Sequence, residues 1–309
     1  MKGIELSRLY FEEAKKSLFE TFPDYEDRIA AGLSGEGSEC FGYDDDLSRD
    51  HDYEPSFCLW VSQSDYEKIG FKLERFYAKL PKEFMGIKRL PSPPDNRRGV
   101  IITEEFFTRF TGFPHGPETA RDWLGIPSYF LAEATNGEIF YDKGGRFSAI
   151  REKLAAGYPD DVRLKKLSAH LAAMGQSGQY NYARCKSRGE TGAAQLAVME
   201  FVKHALEAAH LINNRYCPFY KWAYRSLRNL PVLSELEPIL EYLTETPNDD
   251  DTASEKNEMI DNIAYLFIAE LKEKNLTDAT CNNLDTHAIS VNYRISDGEI
   301  RNMNLMTGV

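Results

Sequence analysis

The chain of 309 residues carries 49 acidic against 37 basic side chains, a formal net charge of −12, with 42% hydrophobic and 28% charged residues. Such a length suits two domains or one large one, with about three quarters of the unfolded surface buried, and the composition is that of a globular protein. The acidic surplus argues against a nucleic-acid partner, whose phosphates are held mainly by Lys and Arg, but leaves room for a single nucleotide whose charge a metal neutralises.

In chain order, residues 6–18 repeat apolar positions at three and four spacings and predict an amphipathic helix. Residues 1–16 have mixed charge, unlike the apolar core of a signal peptide. A short apolar segment, residues 28–33, runs into glycines at 32, 35 and 37. Residues 57–61 (FCLWV) have strand character, and Ser64-Asp65-Tyr66-Glu67 resembles a capping box opening a helix that runs to Lys79. A PSPP loop at 91–94 precedes strands predicted at 99–103 (GVIIT) and 137–141 (GEIFY). Lys143-Gly144-Gly145 then leads into a helix starting near Phe147.

From about Pro159 helical patterns succeed one another, at 161–174, 193–212, 220–230, 233–243 and 258–274, while strand signals almost vanish. The acidic run 248–251 (NDDD) reads as a solvated loop between two of these helices. No run approaches the roughly 18 apolar residues of a membrane span, so no membrane partner is expected. The five cysteines are scattered with no CxxC pair, which fits reduced thiols and a cytoplasmic location rather than a zinc site or disulfide framework. The expected architecture is therefore α+β: an N-terminal domain over 1–157 with a small mixed sheet and helices, then an all-α helical bundle over 158–309.

The densest chemistry lies at residues 44–54 (DDDLSRDHDYE), with six acids against one arginine, shortly after Gly37-Ser38. Such a cluster repels itself unless a cation neutralises it. Asp50 and Asp52 are spaced i, i+2, which on an extended strand puts both carboxylates on one face. That pair suits a divalent metal carrying a nucleotide's phosphates. A solvated acidic loop is the plain alternative. A calcium hand counted from Asp46 needs glycine at its sixth position and glutamate at its twelfth, where this chain has His51 and Phe57.

The string Gly37-Ser38-Glu39-Cys40-Phe41-Gly42, then Ser48, then Asp50-His51-Asp52 resembles the nucleotidyltransferase superfamily, whose small members carry G-S-x-x-x-G, S and D-x-D; Arg49 is one residue extra. The chain also looks like a two-domain branch of that superfamily with QYNYxR and PxYKW in its helical half, which recur at 179–184 and 218–222. The resemblance implies that 1–157 is a nucleotidyltransferase-like domain and that the active cleft lies between the two domains. It implies transfer of a nucleoside monophosphate, AMP from ATP or the equivalent from another NTP, to a hydroxyl of a small-molecule acceptor. Asp50 and Asp52 would hold Mg²⁺ or Mn²⁺, and Gly37 and Ser38 would approach the phosphates. His51 would point to the opposite strand face.

Related enzymes add a third acid from a neighbouring strand. Glu104 is the preferred candidate, because it continues the alternation of Val100 and Ile102; Asp142 is the second. The alternative for Glu104 is a place in the first turn of the next helix, where acids favour the dipole. In the helical half, Arg184 and Arg188 share a helix face with Tyr180 one turn earlier, a set that would receive a triphosphate or stack a base, or else pair with surplus acids. Lys221 resembles a family position that reaches phosphates; Tyr216, Phe219, Tyr220 and Trp222 read as packing. Three rivals remain: a nucleotide-sensing protein with impaired turnover, a transferase of AMP to protein hydroxyls, and a metal-dependent phosphohydrolase.

Overall fold

The computed structural model describes residues 1–46, 53–89 and 97–309. The chain divides into two compact units, Met1–Pro117 with Phe130–Ala156, and Glu118–Tyr129 with Gly157–Val309. The expected division after residue 157 does not account for Glu118–Tyr129, which belong with the helical unit.

The first unit is built on a four-stranded mixed sheet. Its elements are α1 (Gly3–Thr21), β1 (Ala30–Leu33), β2 (Cys58–Val61), α2 (Gln63–Lys79), the hairpin β3 (Glu83–Phe84) and β4 (Ile87–Lys88), β5 (Gly99–Ile102) and α3 (Thr103–Thr111). After α4 (Ala120–Leu124), which belongs to the helical unit, and α5 (Ser128–Thr135) come β6 (Glu138–Tyr141) and α6 (Arg146–Ala155). The sheet order is β5-β2-β1-β6. Strand β1 is antiparallel to both neighbours, pairing Gly32 with Cys58 and Leu33 with Glu138, while β5 is parallel to β2, pairing Cys58 with Gly99.

All four residues of β2 are buried because the sheet is covered on both faces, which explains an unbroken apolar run rather than alternation. Leu59 and Val61 join a core with Tyr10, Phe11, Leu18 and Leu73 from α1 and α2. Trp60 points the other way, stacking on Phe147 of α6 with ring centroids 4.0 Å apart and meeting Phe106 of α3 edge-on. Helix α1 buries Leu6, Tyr10, Phe11, Ala14 and Leu18 along one stripe, the spacing its sequence predicts. Helix α2 starts two residues earlier than the predicted box implies: Ser62, not Ser64, caps it, its hydroxyl accepting from the Asp65 N–H at 3.2 Å.

The second unit is helical: α7 (Asp160–Met174), a π-helical stretch Gly175–Tyr182, α8 (Ala183–Ser187), α9 (Thr191–Ile212), α10 (Tyr220–Leu227), α11 (Leu236–Glu245), α12 (Asp250–Glu273), α13 (Leu284–Tyr293) and α14 (Gly298–Arg301). Helix α7 packs against both α9 and α13 and is buried over most of its length, so its sequence is weakly amphipathic. A Cβ on Gly178 would lie 2.4 Å from the Phe201 ring, so only glycine lets the π-helical stretch lie this close to α9.

One loop expectation is overturned. Helix α12 begins at Asp250 rather than 258; Asp249 caps it, accepting from the Thr252 N–H at 2.9 Å. Asn248 is buried, its amide oxygen accepting from Tyr182 Oη at 3.2 Å and Lys256 Nζ at 3.0 Å. Acids at a helix start are favoured by the dipole, so the acidic run opens the helix instead of avoiding it. The five cysteines are free. Among the described residues no helix is long and apolar enough to cross a membrane.

Candidate functional site

Where β1 ends, the chain enters a turn that its neighbours fix from both sides. The Asn136 side chain accepts from the Gly35 N–H at 2.9 Å and donates to the Gly35 carbonyl at 2.7 Å. The Gly137 N–H donates to the Cys40 carbonyl at 2.7 Å. Arg151 in turn holds the Asn136 segment by donating to the carbonyls of Thr135 and Asn136 at 2.7 and 3.0 Å. Gly37 has φ +123°, and a Cβ there would meet the Glu39 carboxylate oxygens at 2.5 Å. Both facts demand glycine.

The acids of the turn have cationic partners. Glu39 is buried and paired with the largely covered Arg98, whose guanidinium also donates to the Glu36 carbonyl at 3.0 Å. The Glu36 carboxylate takes Arg109 Nη2 at 2.7 Å and Arg97 Nε at 3.2 Å. Burial pushes the Cys40 thiol up, leaving it a neutral group beside Arg98 at 3.4 Å. Asp44, first of the acidic run, accepts from the Gly3 N–H at 2.9 Å and pairs with Lys2 at 3.5 Å, anchoring the start of α1.

What the turn leaves open is its donors. Among the described residues, the backbone N–H groups of Glu36, Gly37, Ser38 and Glu39 donate to no acceptor, and the Ser38 hydroxyl makes no hydrogen bond. Consecutive unpaired N–H groups in a turn form a concavity that favours an anion. Asp50 and Asp52, with Ser48 and His51, lie outside the described residues. Strand β2 begins at Cys58, opposite Gly32, so residues 53–57 enter the sheet from this same end.

Glu104 is not at this end. Strand β5 begins beside the turn and runs away from it, and Glu104 follows its far terminus, inside the first turn of α3. There its carboxylate accepts from the Gln63 N–H at 3.0 Å, at the start of α2. Asp142 follows β6, which also runs away from the turn, and accepts from the Ser148 N–H at 2.8 Å at the start of α6. Four-residue strands span roughly 13 Å, so Glu104 stands a strand length from Gly37 and Ser38, at the helix start that was its alternative place. The residues at the near end of β5 are Arg97 and Arg98.

Both acids instead line a cavity of about 300 Å³ at the far end, together with Arg28, His115 and Arg146. Buried Asp65 pairs there with Arg28 and lies 4.0 Å from Arg146.

In the helical unit, Tyr180 is 55% exposed and the exposed Arg184 guanidinium sits over its ring at 4.7 Å, the pairing its spacing predicts. The rest of that motif is structural. Gln179 donates to the Asn282 carbonyl at 2.9 Å and accepts from the Leu284 N–H at 2.9 Å, fixing the start of α13. Lys221 is exposed, its ammonium 5.2 Å from the Trp222 ring. Tyr220, expected to pack, is 76% exposed at the first residue of α10, although Ala223 and Leu227 on the same stripe are buried.

Residues 123–223 match a protein family described as a domain of unknown function (DUF4037). None of the curated proteins matches the chain. Among solved structures, a nucleotidyltransferase-like protein from Exiguobacterium sibiricum 255-15 is similar, at 12% identity and a TM-score of 0.38, covering 84% of this chain and 76% of that one.

Proposed function

We propose that this chain is a Mg²⁺-dependent nucleotidyltransferase that moves AMP from ATP, or the equivalent group of another NTP, to a hydroxyl of a small acceptor. The observation that carries the reading is the turn of Gly37 and Ser38, whose four N–H groups and hydroxyl are unpaired among the described residues. Those donors would take the non-bridging oxygens of the β- and γ-phosphates. Arg97 and Arg109, beside Glu36 at the same end, add positive charge.

Two aspartates offer the hard oxygen donors that Mg²⁺ prefers. The nearby acids Glu36, Glu39 and Asp44 are engaged with Arg109, Arg98 and Lys2, so Asp50 and Asp52 are the residues we assign to the metal. When bound, the metal supplies charge neutralisation to the phosphates. In the transfer, the acceptor oxygen bonds to the α-phosphorus as the bond to pyrophosphate breaks, and the hydroxyl proton leaves to water. We further assign Arg184 and Lys221 to the triphosphate and the face of Tyr180 to the base, on the exposure of all three.

A specific observation favours a second reading. Among the described residues, neither Glu104 nor Asp142 lies at the turn's end of the sheet, which would suit a nucleotide sensor without the third acid that related enzymes use. The experiment that separates the two is pyrophosphate release from each NTP with Mg²⁺ or Mn²⁺, against pooled hydroxyl metabolites and cell extract proteins. Release that vanishes in Asp50→Ala/Asp52→Ala establishes transfer, and α-labelled nucleotide then marks the acceptor, small molecule or protein. Metal-dependent nucleotide binding without release establishes the sensor.

A further inference from the structure

The helical unit contains a second cavity, independent of the glycine turn, with a few polar side chains set among apolar ones. It has a volume of about 380 Å³, within the range of small-molecule pockets. Two helices furnish it: Lys166 and His170, one turn apart on α7, face Lys203, His204 and Glu207 on α9. Tyr158 closes another side. It is 6% exposed, and its hydroxyl has no hydrogen-bond partner among the described residues. A buried hydroxyl left unpaired is costly, and its presence beside an open cavity points to a ligand.

The histidines have a defined polarity. His170 Nδ1 and His204 Nδ1 are 2.9 Å apart, and His204 Nε2 lies 3.3 Å from a Glu200 carboxylate oxygen. A carboxylate accepts, so His204 carries its proton on Nε2 and accepts at Nδ1. His170 must then donate from Nδ1, which leaves its Nε2 as a bare acceptor with no partner among the described residues. Burial pushes both rings down, helped at His170 by His204 and Lys166 and at His204 by Lys203, so this neutral arrangement persists near pH 7. Lys166 Nζ spends one proton on the Gly308 carbonyl at 3.0 Å and keeps two. Burial lowers the Lys166 ammonium to about 8, still mostly charged at neutral pH. Glu207 receives the Ser128 hydroxyl at 2.7 and 2.8 Å, and burial raises it against the opposing pull of Ser128, Lys166 and Lys203.

The cavity thus offers the Lys166 and Lys203 cations, a phenol and one imidazole lone pair, while its one acidic side chain, Glu207, is engaged by the Ser128 hydroxyl. A ligand that satisfies all three carries anionic oxygens and also retains a proton to donate. We propose that this cavity binds a singly protonated phosphate group, with Lys166 and the Tyr158 hydroxyl on its anionic oxygens and His170 Nε2 accepting its P–OH. Sulfate has the same shape but no proton at neutral pH, so it meets the lone pair of His170 with one of its own.

Calorimetric titration of the full chain with inorganic phosphate, glycerol 3-phosphate and sodium sulfate, at constant ionic strength, tests this. Phosphate should bind at least roughly tenfold more tightly than sulfate, the scale of one hydrogen bond to a charged group. Tighter glycerol 3-phosphate assigns the site to a monoester; equal affinity assigns it to the phosphate group alone. Lys166→Met should abolish binding. His170→Asn keeps a donor for His204 but removes the acceptor, and should bring phosphate down to the level of sulfate. Tyr158→Phe, nearly isosteric and expected to fold whatever Lys166→Met does, should weaken phosphate several-fold. Ser38→Ala should leave this affinity unchanged, which keeps the glycine turn out of the measurement. Equal affinity for sulfate and phosphate, no heat at millimolar phosphate, or indifference to Tyr158→Phe would overturn the proposal.

Discussion

The two ends of the four-stranded sheet use their polar groups in opposite ways. At the end where β1 finishes, the acids Glu36, Glu39 and Asp44 are paired while a run of N–H donors is left open. At the other end the carboxylates of Glu104 and Asp142 are spent on backbone N–H groups at the starts of α2 and α6. Unpaired donors offer an anion something no neighbour supplies; an acid that already closes a helix start has a structural use. The difference teaches that acidity alone does not mark the end of this sheet with polar groups to spare for a ligand.

The largest expected effect comes from removing Arg98. Its guanidinium neutralises Glu39 from a position almost as buried as Glu39 itself. Arg98→Met would leave a carboxylate buried against Gly37 with no cation, a change that typically costs about 3–5 kcal/mol. Urea denaturation should show that loss in full. Arg98→Met/Glu39→Gln should recover most of it, since the stranded charge is gone. If the single variant unfolds at the wild-type midpoint, the turn is not held by this pair.

That pair also shows where legibility in the sequence stopped. The glycine turn, the FCLWV strand and most helices were readable, because each depends on residues within a few positions: positive φ needs glycine, and a strand buried on both faces is apolar throughout. Glu39 and Arg98 are 59 residues apart, and His170 and His204 are 34 apart, so no local period joins them. A buried lysine and histidine at i, i+4 in the apolar stretch of α7 were the signal available for the second cavity. Glu104 could be read two ways for a local reason. Helix α3 follows β5 directly, with Ile102 at its N-cap and no capping side chain, so only the acids of its first turn marked the end of the strand alternation.

Next in size is Gly37→Ala. The backbone at φ +123° is one that only glycine adopts easily, at a cost of order 1–3 kcal/mol for other residues. The added Cβ would also press on a Glu39 carboxylate that Arg98 prevents from yielding. Stability should fall by about 2 kcal/mol, and nucleotide affinity should fall with it as the open donors are displaced. Ser38→Ala separates the two effects. Its hydroxyl has no partner among the described residues, so the thermal midpoint should not move. Nucleotide affinity should weaken roughly tenfold, as for one lost hydrogen bond to a charged group. A stability loss with unchanged affinity would turn the serine into a structural residue.

The smallest effect is expected at Glu104, and it is the one most able to break the comparison. Glu104→Gln keeps a carbonyl oxygen to accept from the Gln63 N–H, so stability should change by less than about 0.5 kcal/mol. Glu104→Ala removes that acceptor and should cost about 1 kcal/mol, the usual price of an N-terminal cap. In both variants nucleotide binding and pyrophosphate release should match wild type, because the side chain stands a full strand length from the glycine turn. Metal titration followed by nucleotide binding should be equally indifferent. If Glu104→Gln abolishes turnover while its unfolding midpoint stays put, the carboxylate itself takes part in the chemistry. The reactive end of the sheet would then have to be sought at the cavity it shares with Asp142, His115 and Arg146.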